Sequence, residues 1–116
     1  MTLSAQEKSE LARYRLDKAK RLLHDAETLI KASSNESSAN RSYYAVLAAS
    51  RALLALRGKD PDSHEGVKVL LSKEFIKPGT LPAHSGDIFR VLQARRMDSD
   101  YGDYVEIRSN ETEDSL

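Results

Sequence analysis

Arg41 and Tyr44 stand three residues apart in the stretch Asn40-Arg-Ser-Tyr-Tyr-Ala-Val-Leu-Ala-Ala-Ser-Arg-Ala-Leu-Leu-Ala-Leu56. On a helix that spacing is one face, so the pair can present a cation and an aromatic ring to a nucleotide base or a phosphate. Arg51, on the same helix, is a cation among apolar neighbours and needs a partner, either a bound polyanion or an internal acid. The structural alternative is that Tyr43 and Tyr44 fill the core with their hydroxyls bonded while Arg51 pairs with an acid such as Asp103. His24, His64 and His84 fall on three different segments and read as surface or capping residues. His64 opens a helix, where its ring can bond a backbone group, Asp60 or Asp62. Asp98-x-Asp-x-Gly-Asp103 begins with the spacing of a calcium loop, but its twelfth position is Ser109 where a bidentate glutamate is required. No metal site and no cofactor are expected. A Gly-rich phosphate loop, a His-Glu-x-x-His zinc helix and a Gly-x-Ser-x-Gly elbow are all absent from the sequence.

The elements that must position these residues are helical. Of the fourteen residues from Tyr43 to Leu56 only Ser50 and Arg51 are polar, so this helix, over about 37–57, should be covered on most sides. Before it, Ser4-Ala-Gln-Glu7 is a capping box. Ala12, Leu16, Ala19, Leu23, Ala26 and Ile30 then form an apolar stripe at spacings of four and three, widened by Leu22 and Leu29, which predicts a helix over 5–32. Gly58 stops the second helix, and Lys59-Asp-Pro-Asp-Ser-His64 is a loop of turn residues. A third helix, over about 63–75, buries Val67, Leu70, Leu71 and Phe75. A fourth, up to about Met97, buries Ile88, Phe89, Val91, Leu92 and Ala94, and the turn residues from Asp98 break it. No window shows strand alternation. The fold class is all-α: an antiparallel up-and-down four-helix bundle with a short or incomplete fifth helix, residues 1–107 forming the bundle and 108–116 a frayed acidic tail.

With no cysteine, thiol catalysis and disulfides are excluded. The N-terminus has no apolar signal core and no run is long enough to span a membrane, so a cytoplasmic protein is expected. A formal net charge of zero hides an asymmetry: residues 1–97 carry 17 basic against 11 acidic side chains, and residues 98–116 carry one against seven. The basic body suits a polyanionic partner, and the acidic end can compete for the same surface.

Four separated motifs carry a family resemblance: Asn40-Arg41-Ser-Tyr43-Tyr44-Ala; Arg51-Ala-Leu-Leu; Ser63-His64-Glu-Gly66-Val67; and Leu92-x-x-Arg95-x5-Tyr101-Gly-Asp103-Tyr104. Together the chain resembles the small prokaryotic HEPN-domain proteins over residues 8–107. The resemblance implies a homodimeric helical bundle that partners a minimal nucleotidyltransferase and, in many members, acts as a metal-independent endoribonuclease toxin. In those, an arginine clamps the scissile phosphate and a histidine four to six residues later moves the ribose hydroxyl proton. Carried over, the arginine is Arg95 or Arg96, while the histidine position falls on Asp100 or Tyr101. A tyrosine of ordinary pKa near 10 is a weak base at neutral pH, so the ribonuclease motif reads as degenerate. Arg57 and His64 also fit the spacing, although they flank the Gly58–Ser63 loop, and His64 is carried as a secondary catalytic candidate. In related pairs the nucleotidyltransferase adds AMP to a tyrosine near the motif, for which Tyr101 or Tyr104 is the matching acceptor. The leading expectation is an RNA- or nucleotide-binding protein using Arg41, Tyr44 and Arg51. The alternatives are an active endoribonuclease, with Arg95 or Arg96 and Tyr101, Tyr104 or His64, and a protein-binding helical adaptor.

Overall fold

The computed structural model describes residues 2–101, with side chains through residue 96. Four helices follow one another: α1 (Ala5–Lys31), α2 (Asn35–Leu56), α3 (His64–Leu71) and α4 (Ser85–Tyr101). A single π turn, Ser72–Ile76, prolongs α3. The described residues contain no strand, and the fold is all-α as the periodicity requires. The expected fifth helix and acidic tail lie outside the described residues.

α1 begins at the capping box seen in the sequence. The Glu7 N–H donates to Ser4 Oγ at 3.1 Å and the Ser4 N–H donates to Glu7 Oε1 at 3.0 Å, satisfying two backbone donors that a helix start leaves over. At the other end the chain reverses within three residues. Ser33 takes a left-handed φ of +63°, and the Ser34 N–H donates back to the Leu29 carbonyl at 2.8 Å, the bond that closes a helix C-terminus. α2 ends the same way, with Gly58 at φ +70° and the Lys59 N–H donating to the Leu54 carbonyl at 2.9 Å.

α2 serves two cores. Along one side it packs against α1 through small residues: Ala12, Ala19 and Ala26, seven apart on α1, are all buried, as are Ala45, Ala48, Ala52 and Ala55 on α2. Without bulk between them the backbones come close enough for the buried Ser38 hydroxyl to donate to the Ala26 carbonyl at 2.8 Å. Ser38 opposite Ala26 and Ala52 clustered with Ala12 fix the pair as antiparallel. On another side Tyr43, Leu47 and Leu54 meet Val67 and Leu71 of α3, Phe75 of the π turn, and Phe89 and Leu92 of α4.

Two expectations for α4 are corrected. α4 does not break at Asp98 but continues to Tyr101. Its apolar face is only half covered, since Phe89 and Leu92 are buried while Ile88, Val91 and Ala94 are exposed. On α1 the alanines take the contact with α2, and Leu16 and Leu23 are left 44% and 40% exposed.

The α2–α3 loop is tied down by two arginines. Arg15 Nη2 lies 3.1 Å from Asp60 Oδ1, Arg51 Nη1 lies 3.7 Å from the same oxygen, and Arg51 Nη1 donates to the Pro61 carbonyl at 2.8 Å. α3 then starts on Ser63, whose Oγ accepts the Gly66 N–H at 2.9 Å. A Cβ at Gly66 would sit 3.0 Å from both Pro61 Cβ and Ser63 Oγ, tighter than ordinary contact. Gly66→Ala should therefore disturb the cap and lower stability by about 1 kcal/mol, the usual worth of an N-cap. Chemical denaturation measures this; an unchanged midpoint would show that Pro61 and Ser63 move aside without loss.

Candidate functional site

Tyr43 is fully buried at the junction of α2, α3 and α4, and its hydroxyl has a partner among the described residues. That partner is His64, the first residue of α3, whose Nδ1 lies 2.9 Å from the Tyr43 oxygen. The position follows from local structure: the Ser63 cap and the pinned Asp60-Pro61 segment set where α3 begins. Arg96, near the end of α4, closes the group from the far side. Its guanidinium carbon stands 5.2 Å from the Tyr43 ring centre and 5.6 Å from that of Tyr44, within cation–π range. Tyr44 in turn packs edge-on against Tyr43 with ring centres 5.2 Å apart, and against His64 at 6.0 Å.

Three segments distant in sequence thus bring His64, Arg96 and Tyr44 around one buried phenol. Tyr44, His64 and Arg96 are each half-buried, at the edge of the core.

The electrostatics follow from this packing. Burial, then the charges of Arg96 and Arg51, hold the His64 imidazole below its ordinary pKa of 6.5. At neutral pH the ring is uncharged, with one nitrogen toward Tyr43. Burial pushes the Tyr43 phenol above its ordinary value of 10, an effect the Arg96 charge opposes, so the hydroxyl keeps its proton. The histidine also makes stability depend on pH. A folded pKa below the unfolded one means the contribution is complete above about pH 6.5 and is lost as pH falls through the lower folded value.

The other candidates are distributed as follows. Arg51 has internal partners, Asp60 and the Pro61 carbonyl, and Asp103 lies outside the described residues. Arg41 is exposed, one turn before Tyr44 on α2. Arg95 is half-buried beside Arg96. Tyr101 closes α4, its side chain lies outside the description, and so does Tyr104. Arg57 is engaged elsewhere, its guanidinium lying 4.6 Å over the Phe75 ring and 3.7 Å from Glu74, while His64 bonds Tyr43. His64 bonds Tyr43, neither a backbone group nor Asp60 or Asp62. Tyr43 is the member that sequence reasoning placed only in the core. The signal that could have flagged it was general: a buried tyrosine hydroxyl requires a partner. Among the described residues there is no metal-ligating cluster, and no helix is long and apolar enough to cross a membrane.

The all-α fold agrees with the family matches. Residues 12–116 match the HEPN domain, and the chain belongs to the HEPN family. It is 32% identical to a UPF0332 protein of Thermotoga maritima over 108 residues, 93% of this chain and 82% of that one. It is 29% identical over 98 residues to a protein of Methanocaldococcus jannaschii named as a candidate toxin, covering 84% of this chain and 67% of the relative.

Proposed function

We propose that this HEPN protein binds RNA or a nucleotide through Arg96, Tyr44 and His64, as the toxin-like, cytoplasmic component working with a minimal nucleotidyltransferase. The observation that carries the reading is a guanidinium stacked on two tyrosine rings beside an uncharged imidazole. Arginine is the side chain best shaped to hold a phosphate in two hydrogen bonds. The half-buried Tyr44 and His64 rings offer a base or ribose polarizable aromatic contacts. The excess of basic over acidic side chains in residues 1–97 favours a polyanion. The toxin name of one relative agrees with this reading. A homodimer is part of it: Leu16, Leu23 and Leu56 leave apolar surface along α1 and α2, and the groove there carries Arg13, Asp17 and Lys20, charges of both signs that a second copy related by a two-fold axis can match.

Fluorescence anisotropy with a labelled single-stranded RNA tests the binding. Arg96→Ala should weaken affinity about tenfold or more, the worth of a charged hydrogen bond, and should flatten the salt dependence by roughly one phosphate contact. Lys18→Ala, on the exposed side of α1, should change affinity little. Equal affinity of parent and Arg96→Ala, with both proteins folded by circular dichroism, would overturn the assignment.

A further inference from the structure

We propose that Arg15 and Arg51 form a seat for a terminal phosphate monoester of the bound RNA or nucleotide, with the Asp60 carboxylate as the seat's internal occupant, displaced when the ligand binds. The proposal rests on the binding reading above for the body of the ligand and adds the group at its end.

Two guanidiniums from different helices, α1 and α2, meet at one carboxylate oxygen. Arg15 Nη2 lies 3.1 Å from Asp60 Oδ1, a hydrogen bond, whereas Arg51 Nη1 stands 3.7 Å from the same atom, beyond hydrogen-bond reach. One flat carboxylate thus bonds one arginine and only neighbours the other. Two cations face one anion, and among the described residues no second acid lies within ion-pair distance of either guanidinium.

The arginines do not depend on Asp60 alone for their place. Arg15 Nη1 donates to the Arg51 carbonyl at 3.4 Å, and Arg51 Nη1 donates to the Pro61 carbonyl at 2.8 Å. Most of the N–H groups of each guanidinium have no protein partner among the described residues, so donors remain for a ligand. Asp60 is the open member, with 43% of its side chain exposed against 19% for Arg15 and 22% for Arg51. It borders a hollow of about 300 Å³ that Gly58, Lys59 and Asp62 also line, into which its side chain can swing while the carbonyl bond keeps Arg51 in place.

Charge decides which ligand can take over the seat. A phosphodiester carries a single negative charge, as Asp60 does, so the exchange gains nothing electrostatically. A phosphate monoester carries about −1.5 to −2 at pH 7 and has three acceptor oxygens, enough to bond both arginines at once. The seat also adjoins the aromatic cluster. Arg51 acts on His64 and Tyr43 through its charge, and Pro61 stands three residues before His64.

The test uses the full chain and one short RNA sequence with an internal fluorophore, made with a 5′-phosphate, with a 3′-phosphate, or with hydroxyls at both ends. Anisotropy gives the three affinities. The parent should bind a phosphorylated form about tenfold more tightly than the hydroxyl form, the worth of a charged hydrogen bond less the ion pair it replaces, and the preferred form names the end that is read. Arg15→Ala should bring that ratio to about one. Lys31→Ala, exposed sixteen residues further along α1, should keep it. Asp60→Asn removes the occupant's charge at constant length and should tighten binding of the phosphorylated form severalfold. An ion pair that only ties down the loop requires the reverse, and weaker binding of every form by Asp60→Asn would overturn the inference. Equal affinities of the parent for all three forms would overturn it too, leaving the binding reading in place. AMP and adenosine, compared by calorimetry, probe the seat apart from the rest of an RNA. A preference for AMP that Arg15→Ala abolishes, in a parent that binds no hydroxyl-ended RNA, would remove the binding reading and keep the seat.

Discussion

Tyr43→Ala should be the most damaging single change in the described fold, costing about 3–5 kcal/mol, the range for removing a buried aromatic ring. Three effects add. The ring is wholly buried and meets Tyr44 and Phe89 edge-on, with ring centres 5.2 and 5.9 Å away. Removing it leaves a hole where α2, α3 and α4 meet. The His64 nitrogen then loses its partner at the edge of that hole. Against a typical domain stability of about 5–15 kcal/mol, such a loss would leave much of the protein unfolded at modest urea. Tyr43→Phe separates the contributions, because it keeps the ring and deletes only the bond, worth about 0.5–1.5 kcal/mol. Urea titrations of the three proteins check this. If the two variants were equally stable, packing around the ring would not be what holds α3 and α4 on α2.

Ala26→Leu should be the most damaging change on the other side of α2. Ala26 is completely buried and its carbonyl accepts the Ser38 hydroxyl at 2.8 Å. Three added heavy atoms have no room between backbones that close, so α1 must tilt or slide. Overpacking of this kind costs about 1–3 kcal/mol, and the Ser38 bond, worth about 1 kcal/mol, goes with it. The expected result is a lower denaturation midpoint, with Tyr43 still packed in the separate core. Leu23→Ala, at a position already 40% exposed, should cost far less in the monomer. If Ala26→Leu were tolerated as well as Leu23→Ala, the close α1–α2 contact would not be a determinant of the fold.

The contrast between Ala26 and Leu23 shows how far the sequence could be read. Periodicity correctly identified α1 and its apolar stripe, because every third or fourth position being apolar is a direct consequence of 3.6 residues per turn. It could not say how deeply each position sits. The stripe is centred on its alanines, and the leucines at its margin are only partly covered. Caps were legible because their chemistry is local: Ser4 with Glu7, and Gly58 at positive φ. The end of α4 was not, because Asp98-Ser-Asp100 has weak helix propensity and propensity is readily overridden in a folded chain.

The candidate site divides the same way. Arg96, Tyr44 and His64 could each be singled out by type and by their place in motifs, but on three separate grounds. What brings them together is the packing of α3 and α4 against α2, a long-range arrangement with no local trace. Arg51 illustrates the converse. Its need for a partner was legible in its apolar surroundings, whereas Asp60 became that partner only through a loop that Arg15 also holds.

The most direct test of the account uses the three histidines as reporters. His24 lies on α1, His64 opens α3, and His84 precedes α4. With ring-labelled histidine, a short single-stranded RNA is titrated into the protein while the three imidazole signals are followed by NMR. RNA bound at the cluster should shift the His64 signal with RNA concentration and move its titration curve to higher pH once phosphate lies beside it, while the His24 and His84 signals stay nearly fixed. Shifts confined to His24 or His84, with His64 unmoved at saturating RNA, would contradict the claim that the tyrosine, histidine and arginine cluster is where RNA binds.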